Sequence, residues 1–400
     1  MPIAAAVREA LASSSMIRKM FEEGAELKKK YGADRVFDFS IGNPDLEPPP
    51  AFHRVFVRLA EEDAKGSHGY MPNAGYADVR EALARKASRE QGCTVPPSHV
   101  VMAAGAAGAL NVALKSILNP GDEVVVPRPY FMEYRSYAAN HGGVLAEAAS
   151  KADFSLDLET IEQALSPKTA AVLINSPHNP TGRVYPGADI AALADLLRRH
   201  GAKTGRYPYL VADEPYREIV YDGVTVPPVL SAYEESIVVT SYSKSLSLPG
   251  ERIGYIAAGP GISDREDTLA ALVYATRVLG FVNAPALMQR IVAELTEERV
   301  AVEVYAARRQ AFKEVLDAAG IGYVEPEGAF YLFAKVPETG REEAGDRAFS
   351  GCLKERRILG VPGSSFGAPG WIRFAYCVDE GVIRASAAAF REAAAEWRAG

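Results

Sequence analysis

The chain has 400 residues, of which 44 are Lys or Arg and 51 are Asp or Glu, so its formal charge is −7. This length is too great for a single small module and predicts two or three domains with a substantial core. Hydrophobic residues make up 48% and charged residues 24%, which is typical of a globular protein and argues against disorder. The mildly acidic charge argues against nucleic acid and anionic membranes as partners.

The cysteines and the amino-terminal segment bear on where the protein resides. Cys93, Cys352 and Cys377 are widely spaced and odd in number, which argues against a disulfide framework and a CxxC metal site. The amino-terminal segment lacks the cationic head, apolar run and cleavage site of a signal peptide. No stretch approaches the roughly 20 uninterrupted apolar residues of a membrane helix. We therefore expect a cytoplasmic protein with no metal site.

Short apolar runs rich in Val and Ile alternate with longer segments of helical periodicity along the chain. The predicted strands are His99–Ala103, Glu123–Val126, Ala170–Asn175, Tyr209–Asp213, Ser236–Thr240 and Arg252–Ala257. The predicted helices are Ala77–Gln91, Ala107–Leu118, Ala188–His200 and a long one over Ala286–Ala319. Strands that alternate with helices predict an α/β fold with a mainly parallel sheet.

The long predicted helix bears on the domain organisation. It contains no Gly or Pro and ends before Gly320, and a helix of this length is typical of a connection between two domains. We expect a large domain over residues 50–290. We expect a smaller domain to be formed by residues 291–400 together with the amino-terminal segment 1–49.

Small and polar residues follow the earlier strands, and ligands of parallel α/β sheets bind at the carboxyl ends of strands. Gly105, Ala106 and Ala107 form a small-residue turn that begins a helix, whose free N–H groups favour a phosphate. Tight packing of strand on helix would produce the same composition, and the segment does not match a Walker loop. Asn179, within SPHNPTG, offers an amide to an anion, and a simple Asn-Pro turn is the alternative.

Charged and phenolic groups follow the two later strands. Asp213 and Tyr216 belong to the series DEPY, for which a helix cap and a surface tyrosine are the alternative interpretation. Lys244 follows the next strand between two serines. A nucleophilic lysine must be partly desolvated, whereas most lysines are solvated loop residues. Arg252 lies eight residues beyond Lys244 and adds a second cation, and together with the serine hydroxyls the two cations favour an anion beside an amine.

Together these segments resemble the fold-type-I pyridoxal-phosphate-dependent enzymes, and specifically the class I/II aminotransferases of the aspartate aminotransferase superfamily. The resemblance extends from SIGNPD at Ser40–Asp45 to WIRFAY at Trp371–Tyr376, and its most specific stretches are SPHNPTG, DEPY and SYSKSLSLPGERIGY. It implies a seven-stranded, mainly parallel sheet flanked by helices, with a smaller α+β domain. It also implies a transaminase that moves an amino group between an L-amino acid and a 2-oxo acid.

The resemblance implies roles for particular residues toward pyridoxal 5′-phosphate. Lys244 would form a covalent imine with this cofactor and would move the proton between the substrate α-carbon and the cofactor. Asp213 would pair with the protonated pyridine nitrogen and so keep the ring an electron sink. Tyr216 and Asn179 would hydrogen-bond the phenolic oxygen. The residues implied to contact the ring and its phosphate are Phe131, Gly105, Ala106, Ala107, Ser241, Ser243 and Arg252.

Contacts to the substrate and to a second subunit are implied in the same way. Arg373 would clamp the substrate α-carboxylate through a two-pronged pair of hydrogen bonds, a geometry that lysine cannot reproduce. Gly42 would support the same carboxylate through its backbone N–H, and Asn179 would complete the substrate site. Tyr70, within YMPNAGY, would reach the phosphate of the neighbouring subunit, which implies a homodimer with shared active sites.

Two departures from the family pattern leave the substrate open. Ala106 and Ala107 stand where many members have Ser, Gly, Thr or Lys, so that one side-chain contact is missing. The classical dicarboxylate enzymes of the family use a second arginine, from the partner subunit, for the distal carboxylate. No such arginine aligns clearly here, and Arg277 and Arg18 are the candidates. A carbon–sulfur lyase or a cyclopropane-forming synthase on the same fold is the alternative enzyme. A third interpretation is a non-catalytic regulatory domain, but no basic helix-turn-helix precedes residue 40.

Overall fold

A computed structural model describes residues 3–4, 7–8, 11, 16–340 and 344–400, and for residues 16–19 and 21 the backbone alone. The strands of this part of the chain are β1 (Phe37–Asp38), β2 (Val100–Ala103), β3 (Glu123–Pro127), β4 (Val144–Ala148), β5 (Thr169–Asn175), β6 (Tyr209–Asp213), β7 (Ser236–Ser241), β8 (Gly254–Ala258), β9 (Tyr323–Val324), β10 (Tyr331–Lys335), β11 (Ile358–Leu359), β12 (Val361–Pro362) and β13 (Trp371–Ala375).

The helices of the same described ranges flank these strands in sequence. They are α1 (Met16–Tyr31), α2 (Pro50–Glu61), α3 (Ala77–Gln91), α4 (Gly105–Ile117), α5 (Glu133–Ala139), α6 (Leu158–Ala164), α7 (Gly187–Thr204), α8 (Tyr242–Ser245), α9 (Arg265–Val278), α10 (Ala286–Glu294), α11 (Val302–Ala318), α12 (Asp346–Glu355), α13 (Glu380–Ala385) and α14 (Ala387–Ala399). None of them is long and apolar enough to cross a membrane.

The central sheet has seven strands in the order β2-β8-β7-β6-β5-β3-β4. β8 runs antiparallel to β2 and β7, and the remaining neighbours pair in parallel. Strand β5 is buried along its whole length, as expected for a parallel strand covered on both faces. The predicted α/β fold with a seven-stranded, mainly parallel sheet flanked by helices is confirmed.

Side chains on alternate positions of the central strands enter two different cores. Val125 of β3 belongs to the core on one face, whereas Val124 and Val126 belong to the core on the other face. This alternation is the period-two geometry of a strand. The sheet is therefore buried between two helical layers, and the polar residues at the carboxyl ends of its strands are left to form a site.

A second group of strands forms a smaller α+β unit with a core of its own. β12, β13, β10 and β9 make a four-stranded antiparallel sheet, and β1 pairs in parallel with β11. Its core contains a cluster of aromatic rings in contact with one another, Phe39, Phe312, Phe374 and Phe390. The predicted domain boundaries near residues 50 and 290 stay a prediction.

The long helix predicted over Ala286–Ala319 is wrong, because the chain forms two helices, α10 and α11, separated by residues 295–301. In this segment the Thr296 carbonyl accepts a hydrogen bond from the buried Lys86 ammonium at 3.1 Å. The Val300 N–H donates to the carbonyl of Ser245 at 2.8 Å. These tertiary hydrogen bonds use backbone groups that a continuous helix would need for itself, and no local sequence signal indicates them.

Candidate active site

The carboxyl ends of three neighbouring strands line one cavity of 390 Å³. Asn175 ends β5, Asp213 ends β6 and Ser241 ends β7, and these strands are adjacent and parallel in the sheet. Parallel pairing brings the ends of these strands to one edge, where α/β proteins bind their ligands. The opposite wall is contributed by the smaller unit through Tyr331 and Arg373.

The carboxylate of Asp213 is buried, and only one of its two oxygens accepts a hydrogen bond from the described residues. Its Oδ2 accepts a hydrogen bond from the Tyr134 hydroxyl at 2.6 Å, while its buried Oδ1 has no hydrogen-bond partner among the described residues. Burial raises the pKa of Asp213 to about 7, although the bond from Tyr134 acts in the opposite direction. A cationic N–H donor facing Oδ1 would offset the free-energy cost of burying this charge and would stabilise the carboxylate form of Asp213.

Asn175 forms hydrogen bonds both to the end of β6 and to the loop that follows β5. Its Nδ2 donates to the Asp213 carbonyl at 2.7 Å, and its Oδ1 accepts the backbone N–H of Asn179 at the same distance. Both of these residues are buried. Asn175 therefore positions Asp213 and Asn179 relative to each other by hydrogen bonds to their backbones.

Lys244 lies on the short helix α8, which directly follows β7. Its Nζ donates to the Gly42 carbonyl at 2.8 Å and lies 5.3 Å from the centre of the Phe330 ring. Burial lowers the pKa of Lys244 to about 8, and the positive charges of Arg373 and Arg252 act in the same direction. Because the neutral amine is the nucleophilic form, this environment activates Lys244 close to physiological pH.

The lowered pKa of Lys244 predicts the pH dependence of its reaction with an aldehyde. A group with a lowered pKa loses its proton at a lower pH, so the amine becomes reactive around pH 8 and not near 10.5. We expect the rate at which an added aldehyde, here the pyridoxal phosphate that the family resemblance implies, bonds covalently to the protein to rise with pH and to level off above about pH 8. Stopped-flow absorbance between pH 6 and 10 would measure it, with an N-acetyl-lysine amide as the control. A midpoint close to that of the model amide would contradict the prediction.

Two tyrosine hydroxyls form a pair on the cavity wall. The hydroxyls of Tyr216 and Tyr331 lie 2.8 Å apart, and burial raises the pKa of both groups, so they remain neutral donors. Glycine fits at position 42 beside them, because a Cβ there would overlap the hydroxyl and the ring of Tyr331. The glycine thus lets the backbone approach both the tyrosine pair and Lys244.

The amino terminus of α4 and Arg252 together form a candidate anion site. No side chain caps the first turn of the helix, so its N–H groups are free for a ligand. Gly105 has a φ of +73°, and a Cβ there would lie 2.5 Å from Nη2 of Arg252. The hydroxyl-bearing residues Ser241 and Ser243 line the same cavity. Backbone dipoles, hydroxyls and a guanidinium at one place match the donors that a phosphate needs.

Arg373 is a buried cation on β13, with only 3% of its surface exposed. Its Nη1 donates to Oδ1 of Asn179 at 3.1 Å and its Nη2 to the Ser40 carbonyl at 2.7 Å. Both acceptors are uncharged, and the buried Nε has no hydrogen-bond partner among the described residues. A buried charge needs a counter-charge, and a carboxylate fits the planar guanidinium with two parallel hydrogen bonds.

The structure brings most of the predicted site residues together in this cavity. Those that line it are Gly42, Ala106, Ala107, Phe131, Asn179, Asp213, Tyr216, Ser241, Ser243, Lys244, Arg252 and Arg373. Gly105 lies directly beside Arg252, as described above. Tyr70 does not line the cavity and is 94% exposed. Arg277 lies on α9, against the ring of Tyr274 and outside the cavity, and the side chain of Arg18 is outside the described part of the chain.

Several lining residues were missed by the sequence reasoning. Tyr134, Tyr331, Asn175, Ser40 and Glu133 all line the cavity. The sequence could have indicated two of them as site residues, because Asn175 is the last residue of a predicted strand and Ser40 begins the SIGNPD segment that contains Gly42. Tyr134 and Tyr331 had none, because their partners Asp213 and Tyr216 are 79 and 115 positions away in the chain.

The fold and the site together define a class of enzyme, and comparison with known proteins agrees. A family model described as aminotransferase class I and II matches residues 34–390. The chain therefore belongs to the class I and II aminotransferases and is a transaminase. The resemblance to the class I/II aminotransferases is thus confirmed, and with it the transfer of an amino group between an amino acid and a 2-oxo acid. Nothing in the comparisons favours the lyase alternative.

Individual relatives are similar over nearly the whole chain. A probable aspartate/prephenate aminotransferase of Aquifex aeolicus is 32% identical over 370 residues, which are 89% of this chain and 89% of that protein. The structure of an amino transferase from Eubacterium rectale has a TM-score of 0.94 at 35% identity, over 99% of both chains. That of the aspartate aminotransferase from Thermus thermophilus with maleate has a TM-score of 0.85 at 30% identity, over 98% of this chain and 100% of that chain.

The residues of the cavity fit pyridoxal phosphate, the cofactor of this family. The molecule presents an aldehyde, a basic ring nitrogen and a phosphate. The cavity presents an amine whose pKa is lowered, a carboxylate whose Oδ1 has no partner, and an anion site at the start of α4. For each of these groups on the cofactor, the cavity therefore contains a residue or helix terminus of complementary chemistry.

Proposed function

We propose that this chain holds pyridoxal phosphate covalently on Lys244 and transfers amino groups between L-amino acids and 2-oxo acids in the cavity at the ends of β5, β6 and β7. The observation that carries the proposal is a set of three groups in one cavity. They are the Lys244 amine, the partly satisfied Asp213 carboxylate and the Arg373 guanidinium. An amine to bond the cofactor, an anion for its ring and a cation for the substrate are the minimum that transamination needs.

In this proposal the cofactor is held at both ends by the chain. Ser241, Ser243, Arg252 and the N–H groups of residues 105–107 would bind the phosphate, and Asp213 would bind the ring nitrogen. Tyr216 and Asn179 would donate to the phenolic oxygen, and Phe131 would pack on the ring. When bound, the ring withdraws electrons from the substrate α-carbon and so stabilises negative charge there. Asp213 supports that withdrawal by remaining an anion beside the ring nitrogen.

The residues of the chain would then bind and orient the substrate and move a proton. Arg373 would hold the α-carboxylate, which sets the direction in which the α-hydrogen points. Lys244 would accept that proton at its Nζ and give it back later in the reaction, because its lowered pKa, about 8, leaves a large share of the amine neutral near that pH. Tyr216 and Tyr331 keep the space beside this amine filled by side chains, which limits the access of water.

We also propose that the active protein is a cytoplasmic homodimer with shared sites. Tyr70 supports this arrangement because a large aromatic side chain that is 94% exposed is available to a second subunit. In the proposed dimer its hydroxyl would reach the phosphate in the partner's cavity. Sedimentation velocity of the purified protein would measure the state of assembly.

The absorption spectrum of the purified protein, taken with a panel of L-amino acids and without any oxo acid, tests the proposed function. We expect a yellow band that is lost with certain amino acids while a stoichiometric oxo acid is formed. Catalytic release of ammonia with a persistent band would instead support the lyase alternative. The absence of any band after incubation with pyridoxal phosphate would contradict the assignment of the site.

A further inference from the structure

Glu133 carries a carboxylate in the cavity that no step described above uses. Its own backbone N–H acts to lower the pKa of the carboxyl group, whereas its buried Oε2 has no hydrogen-bond partner among the described residues. Burial raises the pKa of this carboxyl group, so the surrounding protein does not compensate for the solvation that its charged form loses. A buried acceptor without a partner is costly, and in a cavity it indicates a donor that comes from a ligand.

Glu133 shares the cavity with the residue proposed to hold the substrate. Glu133 and Arg373 both line it, and the positive charge of Arg373 acts to lower the pKa of the Glu133 carboxyl group. Tyr137 lies one turn later on the same face of α5 and lines the same cavity, as does Leu110 of the packed helix α4. A substrate held by Arg373 through its α-carboxylate would share this cavity with these residues, and we place its side chain beside them.

The charges of the cavity point to the kind of side chain that fits. Among the described residues its cations are Lys244, Arg252 and Arg373. Each already has a role: Lys244 bonds the cofactor, Arg252 binds the phosphate and Arg373 binds the α-carboxylate. No lining cation of this chain is therefore left for a second carboxylate, and only the partner subunit of the proposed dimer could supply one. On this chain a distal carboxylate near Glu133 would meet a like charge, which is unfavourable.

We propose that Glu133 determines substrate specificity: its carboxylate accepts a hydrogen bond from an N–H donor on the substrate side chain, and it disfavours dicarboxylic amino acids. The preferred substrates are amino acids whose side chain carries an amide or an amine. The proposal rests on the proposed function, because it assumes that Arg373 holds the α-carboxylate. A site built to accept a hydrogen bond discriminates strongly against a ligand that cannot donate one.

Glutamine and glutamate are the matched pair that tests it, because they differ only in the amide that replaces the carboxylate. We expect the holoenzyme to prefer glutamine by about 10- to 100-fold in kcat/KM, the range for a hydrogen bond to a charged group. In E133Q the ratio of the two values should fall by about tenfold or more. The control is E162Q, which makes the same charge change at an exposed position of α6 and should keep the wild-type ratio.

A binding measurement separates recognition from catalysis. Glutarate and its monoamide carry no amino group and cannot react, so calorimetry with the holoenzyme gives their dissociation constants. We expect the monoamide to bind more tightly to the wild type and to E162Q, with the difference reduced in E133Q. Because the wild-type comparison needs no variant, it remains decisive if E133Q fails to fold.

Failure of this proposal can be told apart from failure of the proposed function by using alanine, whose side chain reaches no polar group. If alanine loses its amino group but glutamate is used as well as glutamine, Glu133 has no such role. The same conclusion follows if E133Q leaves the ratio at the E162Q value or if glutarate binds as tightly as its monoamide. If no amino acid in the panel reacts, the proposed function itself is wrong.

Discussion

Replacing Lys244 by alanine is expected to abolish multiple turnover and to remove the absorption band of the covalently bound cofactor. The residue has two roles in the proposed function, as the amine that bonds the cofactor and as the group that moves the proton at the α-carbon. Loss of a positioned general base alone costs about 10²- to 10⁴-fold, and loss of the covalent bond adds to it. We therefore expect turnover to fall by at least about 10⁴-fold, measured as oxo acid formed per enzyme.

The K244A protein should fold, which makes this test clear. The lysine contributes one hydrogen bond, to the Gly42 carbonyl, while its burial opposes the charged form. A similar thermal midpoint and near-ultraviolet circular dichroism would show that the fold is intact. K244R keeps the positive charge without a nucleophile of low pKa, and K151A removes an exposed lysine away from the cavity. Turnover by K244A close to the wild-type rate would exclude Lys244 as the catalytic amine.

Replacing Arg373 by alanine is expected to have the second largest effect, on the use of substrates that carry an α-carboxylate. The guanidinium is 3% exposed and bonded to two uncharged oxygens, so the substrate carboxylate would be its counter-ion. Truncating one partner of a buried, hydrogen-bonded charge pair costs about 2–5 kcal/mol. This corresponds to a fall in kcat/KM of roughly 30- to 5,000-fold. Steady-state kinetics with an amino acid that the wild-type enzyme uses would measure it.

Two comparisons identify the cause of that loss. R373K keeps the charge but cannot form the two parallel hydrogen bonds, so we expect it to restore only part of the activity. A primary amine without a carboxylate should react at the same slow rate in the wild type and in R373A. R299A, which removes an exposed arginine outside the cavity, should behave as the wild type. If R373A discriminated between amino acid and amine as the wild type does, its proposed role would be wrong.

Much of the site could be predicted because its residues stand at the ends of strands. Asp213 and Ser241 end β6 and β7, and Lys244 follows within one turn. In a parallel sheet these positions meet at one edge whatever the details of packing, so locating the strands was enough to group the residues. Arg373 was placed by its match to a family motif, and the structure supplies the physical reason for its burial beside Asn179.

The residues that could not be predicted act through contacts between distant parts of the chain. Tyr134 bonds Asp213, and Tyr331 bonds Tyr216, and neither pair leaves a trace in local composition. Glu133 is similar, because its unpartnered oxygen is a property of the surrounding cavity and not of the segment PYFMEY. The periodicity of a sequence indicates which face of a helix or strand is exposed, but it does not indicate which buried polar group lacks a hydrogen-bond partner.

By itself, the sequence determined the α/β class, six of the seven strands of the central sheet and the residues at the ends of those strands, since period-two and helical patterns are local. Only the tertiary structure decided where the helix predicted over Ala286–Ala319 is interrupted. There the Thr296 carbonyl accepts a hydrogen bond from Lys86, and the Val300 N–H donates one to the Ser245 carbonyl. The tertiary structure alone also decided the pKa values of Asp213 and Lys244. Those depend on how much water the folded chain removes from each group, which is a property of the packed cavity and not of the neighbours in sequence.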